Sequence, residues 1–209
     1  EEGRTIYTNI KKFVKFLLAA NLGEIMIITL PILFGLPLPL LAIQILWVNL
    51  VTDSFPALAL GLDPANPDIM QEKPRNPKES FFYGLNSFML ISTILATLSV
   101  LGIFLYTFNT VGLEKAQTMA FTTLILFELF LVFACSSNVH SIFKTKANYY
   151  LLAAVGLSFA LQLVLLYTPL ATYFSLTHLG LMDWLIMIPL GASGLIFFEL
   201  KKLFTRRKN

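Results

Sequence analysis

The sequence predicts an all-α polytopic membrane domain in which six transmembrane helices form a bundle. Three observations favour this class. Hydrophobic residues make up 56% of the 209 residues and charged residues only 13%. The mean hydropathy of +0.75 lies outside the range of ordinary soluble domains. The apolar residues fall into six runs, each close to the roughly 20 residues that span a bilayer. We therefore expect a single transmembrane domain over residues 1–209, with no sizeable domain outside the membrane.

The same composition excludes several classes of function, beginning with a soluble enzyme. The single cysteine, Cys135, excludes a disulfide scaffold. The net charge of +3 comes from segment ends rather than from one basic face, so no nucleic acid partner is expected. The start, EEGRTIYTNIKKF, lacks an initiating Met and is highly charged, unlike a signal peptide. We expect the chain to be a piece of a longer protein.

The long apolar runs place the helices at about residues 10–34, 39–62, 81–107, 117–137, 148–168 and 182–203. The segment GLPLP at 35–39 predicts a tight turn, because prolines and glycine do not continue a helix. The first two helices should therefore form a hairpin. Pro56 has no N–H for the carbonyl of Thr52, four residues earlier. The second helix should therefore be broken near Asp53.

The longest polar stretch, residues 62–80, carries four of the ten prolines. It should lie outside the hydrocarbon, where water can satisfy its backbone. With six spans, fourteen of the fifteen Lys and Arg residues fall on the face that holds this loop and both termini. Only Lys115 falls on the other face. By the positive-inside rule, the loop at 62–80 and both termini are expected in the cytoplasm.

Three acidic residues, Glu24, Asp53 and Glu128, lie well inside apolar runs. An ionised carboxylate alone at the bilayer centre costs about 2.5–3.5 kcal/mol, so each residue should have a partner or a function. The structural alternative is a protonated carboxyl group that hydrogen-bonds across helices. Three carboxylates placed together also repel one another. We therefore expect the empty site to hold protons and to release them when a cation binds.

The neighbours of these carboxyl groups favour a cation site. Asn21 and Glu24 are spaced i, i+3, and Asn49, Thr52 and Asp53 are spaced i, i+3, i+4, so each set shares one helical face. The two faces can meet across the hairpin. With one further carboxylate they offer only oxygen ligands, the set preferred by a hard cation such as calcium. The candidate metal ligands are Asn21, Glu24, Asn49, Thr52, Asp53 and Glu128.

Several strings also resemble a known family: EEGRTIYTNIKKF, NLGE, QILWVNLVTDSFPALALGLDP and DIMQEKPRNPKE. They look like the carboxy-terminal half of the membrane domain of P-type cation-transporting ATPases. The match is to the calcium-pump branch, the group that includes the sarcoplasmic reticulum calcium ATPase. The strong motifs cover residues 1–79, and the later helices match mainly in number, length and the placement of Glu128. Ser54 departs from the pattern, since animal calcium pumps have glycine there.

The resemblance implies that the six helices are the fifth to tenth membrane helices of a pump, and that the six candidates are its calcium ligands. Sodium pumps carry Asp at the position of Asn49, and secretory-pathway calcium and manganese pumps lack threonine at the position of Thr52. The implied function is the cation-binding half of an ATP-driven calcium pump, with protons carried in the opposite direction. The implied partners are the lipid bilayer, calcium ions and the remainder of the pump.

The chain contains no DKTG phosphorylation motif and no TGE motif. A nucleotide-binding domain and the first four membrane helices of the family are also expected to be missing. ATP and magnesium therefore belong to the missing domains, and this fragment is not expected to hydrolyse ATP by itself. A self-sufficient channel or secondary transporter is the rival reading, because such proteins also use broken helices and midplane carboxylates. A membrane scaffold without a transport role is the third.

Overall fold

The computed structural model describes residues 2–64, 86–136 and 148–206, and within these ranges all the regular secondary structure is helical, joined by short turns and loops. The elements are α1 (Glu2–Leu33), α2 (Ala42–Trp47), a π-helical segment (Val48–Asp53), α3 (Ser54–Gly61), α4 (Asn86–Thr110), α5 (Leu113–Ser136), α6 (Tyr149–Tyr167), α7 (Leu170–Tyr173) and α8 (Leu181–Arg206).

Six helices of the described residues are long and apolar enough to cross a membrane, which confirms the predicted class. Five of them are α1, α4, α5, α6 and α8. The sixth is the continuous stretch Ala42–Gly61, which joins α2, the π-helical segment and α3. The short helix α7 lies between the last two spans. Most of the loop predicted at 62–80 lies outside the described residues.

Helix α1 is longer than a bilayer requires. Its 32 residues extend about 48 Å at 1.5 Å per residue, whereas the hydrocarbon core is about 30 Å thick. The predicted start near residue 10 was too late, because the charged residues that precede the apolar run also wind into the helix. The first part of α1, which carries Lys11 and Lys12, can therefore project beyond the bilayer as a stalk.

The predicted tight turn after α1 is confirmed. Gly35 has a φ of +66°, a left-handed conformation that costs glycine little. The N–H of Leu36 donates to the carbonyl of Pro31 at 2.9 Å, which closes the end of the helix in the manner of a Schellman motif. The chain then returns alongside α1, and Asn9 near the start of α1 donates to the carbonyl of Gly61 at 3.2 Å. These contacts establish the hairpin.

Asp63, just after α3, joins three helices at one end of the bundle. Its carboxylate accepts from Lys12 of α1 at 2.5 Å and from Asn148 at 2.7 Å. Its carbonyl accepts from Asn9 at 2.7 Å. Asn148 in turn caps α6 by accepting from the N–H of Leu151 at 3.0 Å. The starts of α1 and α6 are thus fixed to the end of α3 by buried polar contacts.

The apolar core consists of two clusters, and α1 and α5 contribute residues to both. One cluster contains Ile27 of α1, Val48 of the π-helical segment and Leu124 of α5. The other contains Phe16 of α1 and Leu131 of α5. Helix α5 is buried along nearly its whole length, which makes it the central helix of the described residues. The stretch of each helix between the two clusters therefore faces the middle of the bundle.

Candidate functional site

The three acidic residues lie in the layer between the two apolar clusters. Glu24 falls between the cluster members of α1, Asp53 follows Val48 in the second span, and Glu128 falls between Leu124 and Leu131 of α5. All three are buried, and Asp53 and Glu128 are each only 1% exposed. This layer is therefore polar, whereas the side chains above and below it in the bundle are apolar.

Glu24 and Asn49 meet across the hairpin, as their helical faces predicted. The Asn49 side-chain amide donates to both Glu24 carboxylate oxygens, at 3.2 Å to Oε1 and 3.1 Å to Oε2. It also donates to the carbonyl of Ile45 at 3.1 Å. Asn49 therefore holds the Glu24 carboxyl group toward the second span.

Asp53 and Glu128 form the most unusual part of the site. All four of their carboxyl oxygens are buried, and none makes a hydrogen bond of good geometry to the described part of the chain. The two carboxyl groups are close neighbours, with Thr52 beside Glu128. A buried polar group without a partner is costly, and two adjacent acidic groups are costlier still. Adjacent carboxyl groups with acceptor oxygens to spare are chemically suited to a cation site.

The side chains of Thr52 and Asn21 both donate hydrogen bonds to backbone carbonyls of their own helices. Thr52 is fully buried and its Oγ1 donates to the carbonyl of Val48 at 2.7 Å. The Asn21 side-chain amide donates to the carbonyl of Leu17 at 2.7 Å. Both side-chain oxygens keep lone pairs that can accept or coordinate. In the residues described, Asn21 makes no hydrogen bond with the other five candidates.

The predicted break in the second helix takes the form of the π-helical segment Val48–Asp53, followed directly by α3. A π-helix uses i→i+5 hydrogen bonds and widens the helix, a feature often found at functional sites. The Ser54 hydroxyl donates to the carbonyl of Asn49, five residues earlier, at 2.8 Å. The Ser54 side chain therefore adds a hydrogen bond to the backbone of this segment.

Two residues near the site were not predicted. Ser158 of α6 donates from its hydroxyl to the carbonyl of Val51 at 3.0 Å, and Gln162 of α6 accepts from Trp47 Nε1 at 3.0 Å. The sequence signal was Pro56, which lacks the N–H that a carbonyl about one helical turn earlier would use. The sequence held no signal for which helix supplies the replacement.

The six candidates do not form a closed cage. Within the residues described, no group of three or more His, Cys, Asp or Glu side chains is arranged to hold a metal ion. The structure instead brings the candidates together as two neighbouring sets, Glu24 with Asn49, and Asp53 with Thr52 and Glu128. Five of the six therefore lie in one largely buried region of the bundle.

Comparison with known proteins identifies the family to which the chain is similar. Residues 37–204 match the family model described as the C-terminus of cation-transporting ATPases. The whole chain is 43% identical to a calcium-transporting ATPase of Bacillus subtilis and covers 24% of its length. Over 97% of the chain it is 40% identical to calcium-transporting ATPase 1 of Bacillus cereus, of which it covers 25%. Over 97% it is 34% identical to the rat calcium-transporting ATPase type 2C member 2, of which it covers 22%. The chain thus spans about a quarter of these relatives.

Proposed function

Because the chain belongs to the family of cation-transporting ATPase carboxy-terminal regions, we propose that it is the cation-binding half of the membrane domain of an ATP-driven calcium pump. Family membership and the six apolar spans make it an integral multi-pass membrane protein and part of a larger pump. The substrate is inferred from the relatives, which are calcium-transporting ATPases.

One observation carries the proposal, namely the two adjacent carboxyl groups of Asp53 and Glu128 in the apolar middle of the bundle, whose four oxygens receive no hydrogen bond of good geometry from the described residues. Calcium takes 6–8 oxygen ligands and accepts carboxylates, amide carbonyls and hydroxyls alike. Glu24, Asp53 and Glu128 would supply charge. Asn21, Asn49 and Thr52 would complete the ligand shell with neutral oxygens.

Binding would change the contact between Asn49 and Glu24. The Asn49 amide now presents its N–H groups to the Glu24 carboxylate. A cation between them would replace these hydrogens and favour the amide carbonyl oxygen instead. When calcium leaves, the three carboxyl groups again need positive charge, and protons from the far side would provide it. This is the basis of the proposed proton countertransport.

The remaining parts of the proposal concern orientation and the rest of the pump. The distribution of Lys and Arg supports a cytoplasmic position for both termini and for the loop at 62–80. The stalk at the start of α1 would then point toward the cytoplasmic domains of the parent protein. Those domains would bind ATP and magnesium and drive the change in access to the site.

The test is ATP-driven uptake of radioactive calcium by vesicles that contain the full-length parent protein. Asp53→Asn removes a charged ligand and should reduce uptake to background. Asp183→Asn is the matched control, because Asp183 pairs with Lys115 at the start of α8 and is not among the candidate ligands. A pH indicator in the vesicle lumen should report protons leaving as calcium enters. Normal uptake by Asp53→Asn would contradict the assignment, and calcium entry without ATP would favour a channel.

A further inference from the structure

The π-helical segment that carries three of the candidate ligands ends three residues before Pro56, which has no N–H to donate to a carbonyl four or five residues earlier. In a π-helix the carbonyl of residue i accepts from the N–H of residue i+5. By π-helical spacing Pro56, which has no N–H, would have donated to Val51, and by α-helical spacing to Thr52. Val51 is buried, so water does not replace the missing donor. The carbonyl needs a partner from elsewhere in the bundle.

Helix α6 supplies that partner. The Ser158 hydroxyl is fully buried and donates to the Val51 carbonyl at 3.0 Å. One helical turn further along, Gln162 accepts from Trp47, the residue just before the π-helical segment. Ser158 and Gln162 are four residues apart on α6, and their partners Val51 and Trp47 are also four residues apart. The two contacts therefore join successive turns of the two helices. Helix α6 therefore holds the segment at two successive turns.

We propose that Ser158 is a positioning residue for cation binding, because its hydroxyl replaces the missing amide donor of Pro56 and keeps the ligand segment in its π-helical form. This inference rests on the proposed function. It assigns to α6, a helix that carries none of the six candidate ligands, control over the geometry of Asn49, Thr52 and Asp53.

The geometry explains why one hydroxyl has this effect. A π-helical turn contains about one residue more than an α-helical turn, and one residue corresponds to about 100° of rotation. If the Val51 carbonyl lost its donor, the segment would relieve the unpaired buried group by rewinding or by shifting against α6. Either change turns Asn49 relative to Asp53. The two ligands would then no longer face the same point.

The experiment uses the full-length parent protein and four variants. Ser158→Ala removes the hydroxyl without adding bulk. Ser158→Thr and Ser158→Val add the same bulk, but only threonine keeps the hydroxyl. Ser99→Ala is the matched control, because the Ser99 hydroxyl also makes a contact between helices, at 3.1 Å to Ser193, away from the π-helical segment. Two quantities are measured, the calcium concentration that gives half-maximal phosphorylation from ATP and the thermal unfolding temperature.

Loss of the hydroxyl should raise the half-maximal calcium concentration about threefold to tenfold in Ser158→Ala and Ser158→Val, the equilibrium equivalent of one hydrogen bond. Ser158→Thr should stay near wild type, and so should Ser99→Ala even if its unfolding temperature falls. Equal calcium dependence in the threonine and valine variants would overturn the inference, as would an equal shift in Ser99→Ala. If the bulkier variants do not fold, the two alanine variants decide by the same criterion. If wild type needs no calcium for phosphorylation, the proposed function fails, a result distinct from a failure of Ser158 alone.

Discussion

The close packing of α8 against α5 predicts how much an added methyl group at Gly191 would destabilise the protein. A Cβ atom at Gly191 would lie 2.6 Å from the Leu126 Cβ, 3.1 Å from the Leu126 carbonyl carbon and 3.2 Å from the Phe127 nitrogen. Carbon atoms in good contact are about 3.5–4.0 Å apart. Gly191→Ala must therefore separate the two helices by about 1 Å. The atoms in the way include backbone, which does not rotate aside.

Overpacking of this kind typically costs about 1–3 kcal/mol of stability. A domain of this size loses about 2–4 °C in unfolding temperature for each kcal/mol. The displaced backbone at Phe127 directly precedes Glu128, so calcium affinity should fall together with stability. The assay is thermal unfolding of the full-length protein in detergent, with and without calcium.

The matched control is Gly156→Ala in α6, where an added Cβ has nothing within 4 Å. Alanine is the better helix former by about 0.5–1 kcal/mol, so this variant should be as stable as wild type or slightly more stable. The reasoning is refuted if Gly191→Ala unfolds at the same temperature as Gly156→Ala or at a higher one.

Three further predictions concern single positions. Gly35→Ala should lower the free energy of unfolding by about 1 kcal/mol, because φ is +66° there; an unchanged unfolding temperature would contradict this. Asn148→Asp should destabilise the protein more than Asn148→Ala, although Asp is a good helix cap, because it sets a second carboxylate against Asp63; an aspartate variant at least as stable as the alanine variant would show that this contact is unimportant. Glu128→Gln should weaken calcium-dependent phosphorylation less than Asp53→Asn, because Asp53 lies beside both Glu24 and Glu128; the reverse order in a calcium titration would refute the ranking.

The helices were predictable from the sequence because long apolar runs have few alternatives in a membrane. The turn at Gly35 was also predictable, since left-handed backbone favours glycine and proline stops a helix. The hairpin followed from the short connection, and with it the contact between Glu24 and Asn49. These features depend on residues near one another in the chain or on one reversal of direction.

The features that could not be predicted from the sequence depend on which helices pack together. Pro56 predicted a disturbed helix, but neither its π-helical form nor the hydrogen bonds that Ser54 and Ser158 donate to its carbonyls. The joining of three helices at Asp63 involves Asn148, more than eighty residues away in the chain. Spacing along one helix gives no information on such partners. The role of Asn21 stays a prediction, because its described contact is only to its own helix.

The central claim is that calcium binds among Glu24, Asp53 and Glu128. Crystals of the full-length parent protein grown with calcium, measured at a wavelength where calcium scatters anomalously, test this claim most directly. The account predicts an anomalous difference peak between these carboxyl groups, with Asn49 and Thr52 oxygens at calcium distances of about 2.3–2.6 Å, and no such peak in Asp53→Asn. A calcium peak elsewhere in the membrane region, with these carboxyl groups left apart, would contradict it.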